Sequence, residues 1–328
     1  MAQEETKNME LNTSDRVFWP MVIEMSFSFA CFLLMKVMLI GFGIAKKYDS
    51  PFYRLIQVDL FFNVLCYANA WISVRLESCA TFLPVIKFLE AVFPGFLSFS
   101  KSFSFWCFHT QFYSALTICL IRIFMLVLPV KSHILMKRLT SRKLWYLGYA
   151  GVFIIISTVI TVIVMPRSTN RYYISDDTLF TVVHLDDSSR VSIIIGAFSL
   201  VYFSILFCVR VFMSVLEKRD TRNHSASHIE TLKKFKNIST AYCYIYLGIL
   251  SWSSLNALSS ILKYKILPED YNSVLLGIST DLMTLSLPFI LLVYDKNVRA
   301  DLRRVFKKNN AIHVTSSERS NNGGKTGE

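Results

Sequence analysis

Apolar positions in this chain do not alternate, and they do not recur on one helical face. They fill long uninterrupted stretches separated by short polar segments that are mostly basic. About 20 consecutive apolar residues carry a helix across the hydrocarbon core of a bilayer. On that measure the pattern predicts seven spans, at about Pro20–Ile44, Tyr53–Val74, Trp106–Pro129, Leu144–Met165, Val191–Val215, Ile238–Leu262 and Asn272–Tyr294. The third carries a polar stripe on an apolar body and closes with Arg122, seven residues before Pro129. Arg122 near a helix end can extend its charge to the interface, so it reads either as a boundary marker or as a group facing a cytoplasmic partner.

The predicted fold class is therefore all-α, a seven-transmembrane helix bundle. Residues 1–19 form a polar tail, 20–294 the bundle, 295–309 a short amphipathic helix, and 310–328 a segment with the composition of a disordered tail. In the 295–309 helix Val298, Leu302, Val305 and Phe306 share one face, while Arg299, Arg303, Arg304, Lys307 and Lys308 cover the rest. Such a helix suits an anionic lipid surface. Between Arg75 and Lys101 the chain is too apolar for an ordinary loop, yet Pro84, Pro94 and Gly95 interrupt it. It reads as a structured loop plus the early part of the third helix, with a re-entrant segment as the alternative.

Composition agrees with a membrane solvent. Of 328 residues 53% are hydrophobic and 14% aromatic, and the mean hydropathy is +0.43. The formal charge of +12 would suit nucleic acid in a soluble protein. Here the basic residues sit between apolar runs and act as orientation signals instead. Six of the seven cysteines fall inside spans and only Cys79 in a loop, without C-x-x-C or Cys/His metal spacing. No cofactor, metal or nucleic acid is expected. The loops after the first, third and fifth spans, together with the tail, hold most of the Lys and Arg. This places the N-terminus outside and the tail inside. Asn12-Thr13-Ser14 then becomes an accessible glycosylation sequon at Asn12. Asp59 in the second span reads as an interfacial carboxylate near Arg54 or as an intramembrane polar group.

Several residues carry a family resemblance. Arg122 and Pro129 have the spacing seen in the third helix of rhodopsin-like receptors, and Pro288 matches the proline of their seventh helix. However, Ile121, Ile123, Leu287 and Leu291 replace the usual neighbours, and the outer loop before Arg190 has no cysteine. With Ser50-Pro51-Phe52-Tyr53-Arg54, Asp59, Pro84 and Pro94, and Leu287-Pro288-Phe289-Ile290 running to Asp295-Lys296-Asn297-Val298-Arg299, the chain resembles the nematode serpentine chemoreceptors of class gamma over about Pro20–Lys308.

The resemblance implies a G-protein-coupled chemosensory receptor in the plasma membrane of a sensory neuron. It would bind an external small molecule, an odorant or pheromone, and activate a heterotrimeric G protein. Arg122, Lys137, Arg138, Lys233 and Lys234 are the coupling candidates, the lysines having orientation alone as their other role. The polar residues toward the outer half, Asp281, His109, Gln111, Glu24 and Trp106, are the ligand candidates. Asp281 competes with a role in a helix–helix hydrogen bond, His109 with an interior packing role, and Trp106 with an interfacial anchor. Three other classes fit the sequence less well. A seven-helix ligand-gated channel of inverted topology needs the N-terminus inside, against the charge bias. A transporter needs two related halves, and no such repeat is visible. An enzyme needs a convergent catalytic set, and none stands out.

Overall fold

A computed structural model describes residues 6–10, 18–48, 51–76, 80–127, 171–175, 178–220 and 226–304, with isolated helical positions at 151, 154–155, 158–159 and 162. Its helices are α1 (Phe18–Ile44), α2 (Pro51–Ala70), α3 (Leu83–Val92), α4 (Phe96–Val127), α5 (Leu185–Asp220), α6 (Ala226–Leu262), α7 (Glu269–Tyr294) and α8 (296–304). Among the described residues five helices are long and apolar enough to cross a membrane, or six when the bent pair α3–α4 is taken as one span. The predicted span Leu144–Met165 lies largely outside the described residues, as do residues 305–309 of the predicted amphipathic helix and the whole tail 310–328.

The helices pack around one core to which α1, α2, α4, α5, α6 and α7 each contribute, through residues such as Met35, Leu60, Phe112, Leu206, Tyr246 and Leu291. Large apolar side chains also point outward, among them Phe27 and Val37 on α1 and Leu200 and Val215 on α5. A helix apolar on both its inner and outer faces is one solvated by lipid rather than water. Pro288 lies inside α7 without ending it, as membrane helices tolerate.

Three local departures from the sequence pattern shape the bundle end at which the chain enters α1. First, α4 starts at Phe96, ten residues before the predicted span. The Ser- and Lys-containing stretch 98–104 lowers the hydropathy there without breaking the helix. Pro84 opens α3, and Pro94-Gly95 turns the chain through 97° into α4. Gly95 has φ +83°, a conformation that suits glycine. Both Glu90 carboxylate oxygens accept N–H groups at the α4 start, from Gly95 at 2.5 Å and Leu97 at 3.2 Å. Second, α2 runs on into a π-helical turn, Trp71–Arg75, in which the Leu76 N–H bonds the Trp71 carbonyl. Such turns recur at functional sites. Third, part of the predicted tail and of the 166–190 loop pair as a small antiparallel sheet: β1 (Thr6–Glu10), β2 (Arg171–Ser175) and β3 (Thr178–His184) in the order β1-β3-β2. β3 leads directly into α5.

Candidate functional site

Arg75 is the pivot of a buried ionic triad. The π-turn that ends α2 carries its side chain into the bundle, where it is 3% exposed. Its Nη2 donates to Glu24 Oε1 on α1 at 2.8 Å and to Asp281 Oδ1 on α7 at 2.5 Å. One guanidinium nitrogen thus ties three helices. The rest of the group lies over aromatic faces, 5.0 Å from the Trp71 ring centre and 5.9 Å from that of Tyr67, and cations are attracted to those faces. Gly277 makes room for the Glu24 carboxylate, since a Cβ there would meet Glu24 Oε1 at 3.0 Å. A small cavity of about 20 Å³, room for one water, lies beside the triad, bordered by Met21, Glu24, Val74, Arg75, Ser273, Val274 and Gly277. Arg75 Nε and Nη1 are buried and have no acceptor among the described residues.

Deeper polar contacts link α2 to α4 and α7. Asn69 on α2 donates to Ser104 Oγ (2.9 Å) and to the Ser100 carbonyl (3.1 Å) of α4, and Ser100 Oγ donates to Asn69 Oδ1 at 2.9 Å. Asp59 is buried and accepts from Ser114 Oγ on α4. Arg54 donates instead to Gln57 Oε1 at 2.8 Å. Of the two readings of Asp59, the structure supports the intramembrane one. Gln111 Nε2 donates to Thr284 Oγ1 of α7 at 2.7 Å, and the Gln111 carbonyl accepts from Tyr246 of α6 at 2.9 Å.

At the opposite end of the bundle α8 is tied to the start of α2. Asp295 Oδ1 accepts the Asn297 N–H at 2.9 Å and the Val298 N–H at 3.4 Å, capping α8, while Asp295 Oδ2 accepts from Tyr53 at 2.8 Å. Tyr48 donates to Asp301 Oδ2 at 2.6 Å. Burial, and then the Asp295 charge, push the Tyr48 phenol above its ordinary range. It therefore stays protonated as a donor at neutral pH.

The ligand candidates divide into separate environments. Glu24 and Asp281 meet at the triad. His109 is 2% exposed and packs edge-on against Phe198 of α5, with Nδ1 3.3 Å from the Tyr202 hydroxyl. Trp106 is buried against Phe62 and stacks on Phe103. The earlier start of α4 places it well inside the helix rather than at an interface. Arg75, absent from the sequence candidates, is the residue that joins two of them. Among the coupling candidates, Lys233 is exposed on α6. Arg122 lies on α4 and Lys234 on α6, with side chains outside the described residues. Lys137, Arg138 and Asn12 are wholly outside them.

Comparison with known proteins bears on this arrangement. A family model described as "Srg family chemoreceptor" matches residues 21–302. Serpentine receptor class gamma-47 of Caenorhabditis elegans is 33% identical over 304 residues, covering 92% of this chain and 96% of that protein. Serpentine receptor class gamma-53 of the same organism is 24% identical over 305 residues, covering 88% and 94%.

Proposed function

This chain belongs to the Srg family of chemoreceptors, and we propose that it is a G-protein-coupled receptor that binds an external small molecule between α1, α2 and α7. The observation that supports this most directly is the buried Arg75–Glu24–Asp281 triad at the edge of a cavity. Intramembrane charges are expensive and concentrate where a protein binds or switches. The cavity lies at the end where the chain enters α1, and the positive-inside bias assigns that end to the exterior.

In the mechanism we propose, the ligand does its work through differential affinity. It must bind the active arrangement of α1, α2 and α7 more tightly than the resting one, and coupling of about 1–3 kcal/mol is typical. The triad is the element whose rearrangement converts occupancy into helix movement. Coupling to a heterotrimeric G protein is assigned to Arg122 with Lys137, Arg138, Lys233 and Lys234. The receptor sits in the plasma membrane of a sensory neuron.

Topology in intact cells tests this reading. One epitope tag is placed before Asn12 and another after Lys308, and cells are stained without permeabilisation. Only the N-terminal tag should be seen. Staining of the C-terminal tag alone would invert the chain, put the Arg122 end outside, and end the G-protein reading.

A further inference from the structure

We infer that the lipid-facing side of α1 around Lys36 is an assembly surface, and that its occupant is a membrane-spanning helix of a different protein carrying an Asp or Glu at the depth of Lys36. Neither the ligand nor the coupling partner of the receptor enters into it.

Lys36 is an anomaly of placement. Ionisable residues within membrane spans almost always face the bundle interior or a water-filled cavity, as Glu24, Asp59 and Asp281 do here. Lys36 instead points out of the bundle from α1, exposed and with no ion pair among the described residues. It is also deep. Trp19 and Lys46 lie at the two ends of α1. At about 1.5 Å per residue they stand about 40 Å apart, the thickness of a bilayer with its interfaces. A hydrocarbon core of about 30 Å centred between them puts the Lys36 backbone about 10 Å inside its nearer boundary. Helical side chains lean toward the N-terminus, which from Lys36 is toward the bilayer centre. Its Nζ lies 4.4 Å from the Phe32 ring centre, one turn in that direction. The ammonium is thus turned away from the nearer interface rather than snorkelling to it.

Elimination names the occupant. Lipid phosphates lie outside the hydrocarbon, behind the direction in which Nζ points. Water is absent from the bilayer core. A second copy of this chain offers no acid, because the carboxylates within its spans are Glu24, Asp59 and Asp281, and all three are turned inward and bonded there. What remains is a carboxylate carried into the hydrocarbon by the helix of another protein. The rest of the face suits such a helix. Leu33, Val37 and Ile40 are exposed around Lys36. A Cβ added at Gly41 would meet nothing within 4 Å, so a second backbone can approach closely there.

The test reconstitutes full-length receptor, with a C-terminal fluorescent donor, in phosphatidylcholine vesicles with acceptor-labelled synthetic helices of about 20 apolar residues. One helix carries a single Asp about 5 Å from its midpoint, and in matched controls Asn or Leu replaces that Asp. Energy transfer should show the Asp helix binding about 3- to 30-fold more tightly than the Leu helix, the range for polar contacts between membrane helices, and more tightly than the Asn helix. Lys36→Met keeps side-chain length and removes the charge. Lys36 has no ion pair to lose among the described residues, so this variant should keep the native thermal midpoint while losing the Asp preference. In Lys36→Glu the preference should pass to a helix with Lys in place of the Asp. Equal binding of the Asp and Leu helices to the native receptor, or an Asp preference that persists in Lys36→Met, overturns the inference. A lowered midpoint in Lys36→Met does so too, since Lys36 would then serve its own fold. Loss of the preference when phosphatidylserine is added makes Lys36 a headgroup contact and likewise ends it.

Discussion

Removing Arg75 alone should damage the receptor far more than removing the whole triad. Arg75→Gln leaves Glu24 and Asp281, whose carboxylates now share one donor nitrogen at 2.8 and 2.5 Å, facing each other without a cation. At roughly 5 Å and an effective dielectric constant of about 20, two carboxylates repel by about 3 kcal/mol. Deleting one partner of a buried ion pair costs about 3–5 kcal/mol in general, so the two routes agree. The neutral triple variant, Arg75→Gln with Glu24→Gln and Asp281→Asn, has no buried charge to desolvate and should fall within about 1–2 kcal/mol of the native receptor. The cysteines supply the assay. Cys31, Cys66, Cys107, Cys119 and Cys243 are buried, while Cys208 is exposed. A thiol-reactive dye therefore reports unfolding once Cys208 and the loop residue Cys79 are changed to Ser for background. At about 2–4 °C per kcal/mol, Arg75→Gln should lower the midpoint by on the order of 10 °C, and the triple variant should recover most of it. Equal midpoints for the single and triple variants would show that the three charges are not an energetic unit.

Other expectations follow from single contacts. Ser114→Ala removes a donor from buried Asp59 and should cost about 1–3 kcal/mol. Adding Asp59→Leu should restore part of that in the same dye assay, and no restoration would mean that the contact is not the cause. Asp295→Ala removes the α8 cap and the Tyr53 contact. Loss of a cap costs about 0.5–2 kcal/mol, so amide exchange at Asn297 and Val298 should quicken by roughly 3- to 30-fold, and unchanged exchange would refute the cap. Arg122→Ala should weaken ligand-stimulated nucleotide exchange while surface expression holds; normal exchange would remove Arg122 from coupling. Asp281→Asn should shift agonist potency, and unchanged potency across several agonists would leave Asp281 a packing role.

Of the seven predicted spans, the five or six that the described residues contain were legible because hydrocarbon imposes a length and a composition on whatever crosses it. Helix ends were not, because water imposes neither. α5 and α6 run on through Lys218 and back to Ala226, where polar turns resemble loop in any hydropathy profile. The small sheet has a sequence signal of its own. Tyr172, Tyr173 and Ile174 on one side of Asp176-Asp177, and Leu179 to Val183 on the other, have hairpin composition, but so short a pair between two long apolar runs has the hydropathy of a loop. The triad shows the deeper limit. Glu24 and Asp281 stood out singly, since an intramembrane carboxylate is anomalous by itself. Arg75 did not, because an arginine closing an apolar run is what an interface produces. Only the π-turn, invisible in the residue pattern, carries it inward to partners 51 and 206 residues away in the chain. A local rule can flag a charge that lacks a partner, whereas naming the partner requires the helix packing. The same logic bears on Asp59. Its neighbour in sequence, Arg54, was the natural partner on the page. The fold instead gives Asp59 a hydroxyl from α4 and gives Arg54 the Gln57 amide one turn along its own helix.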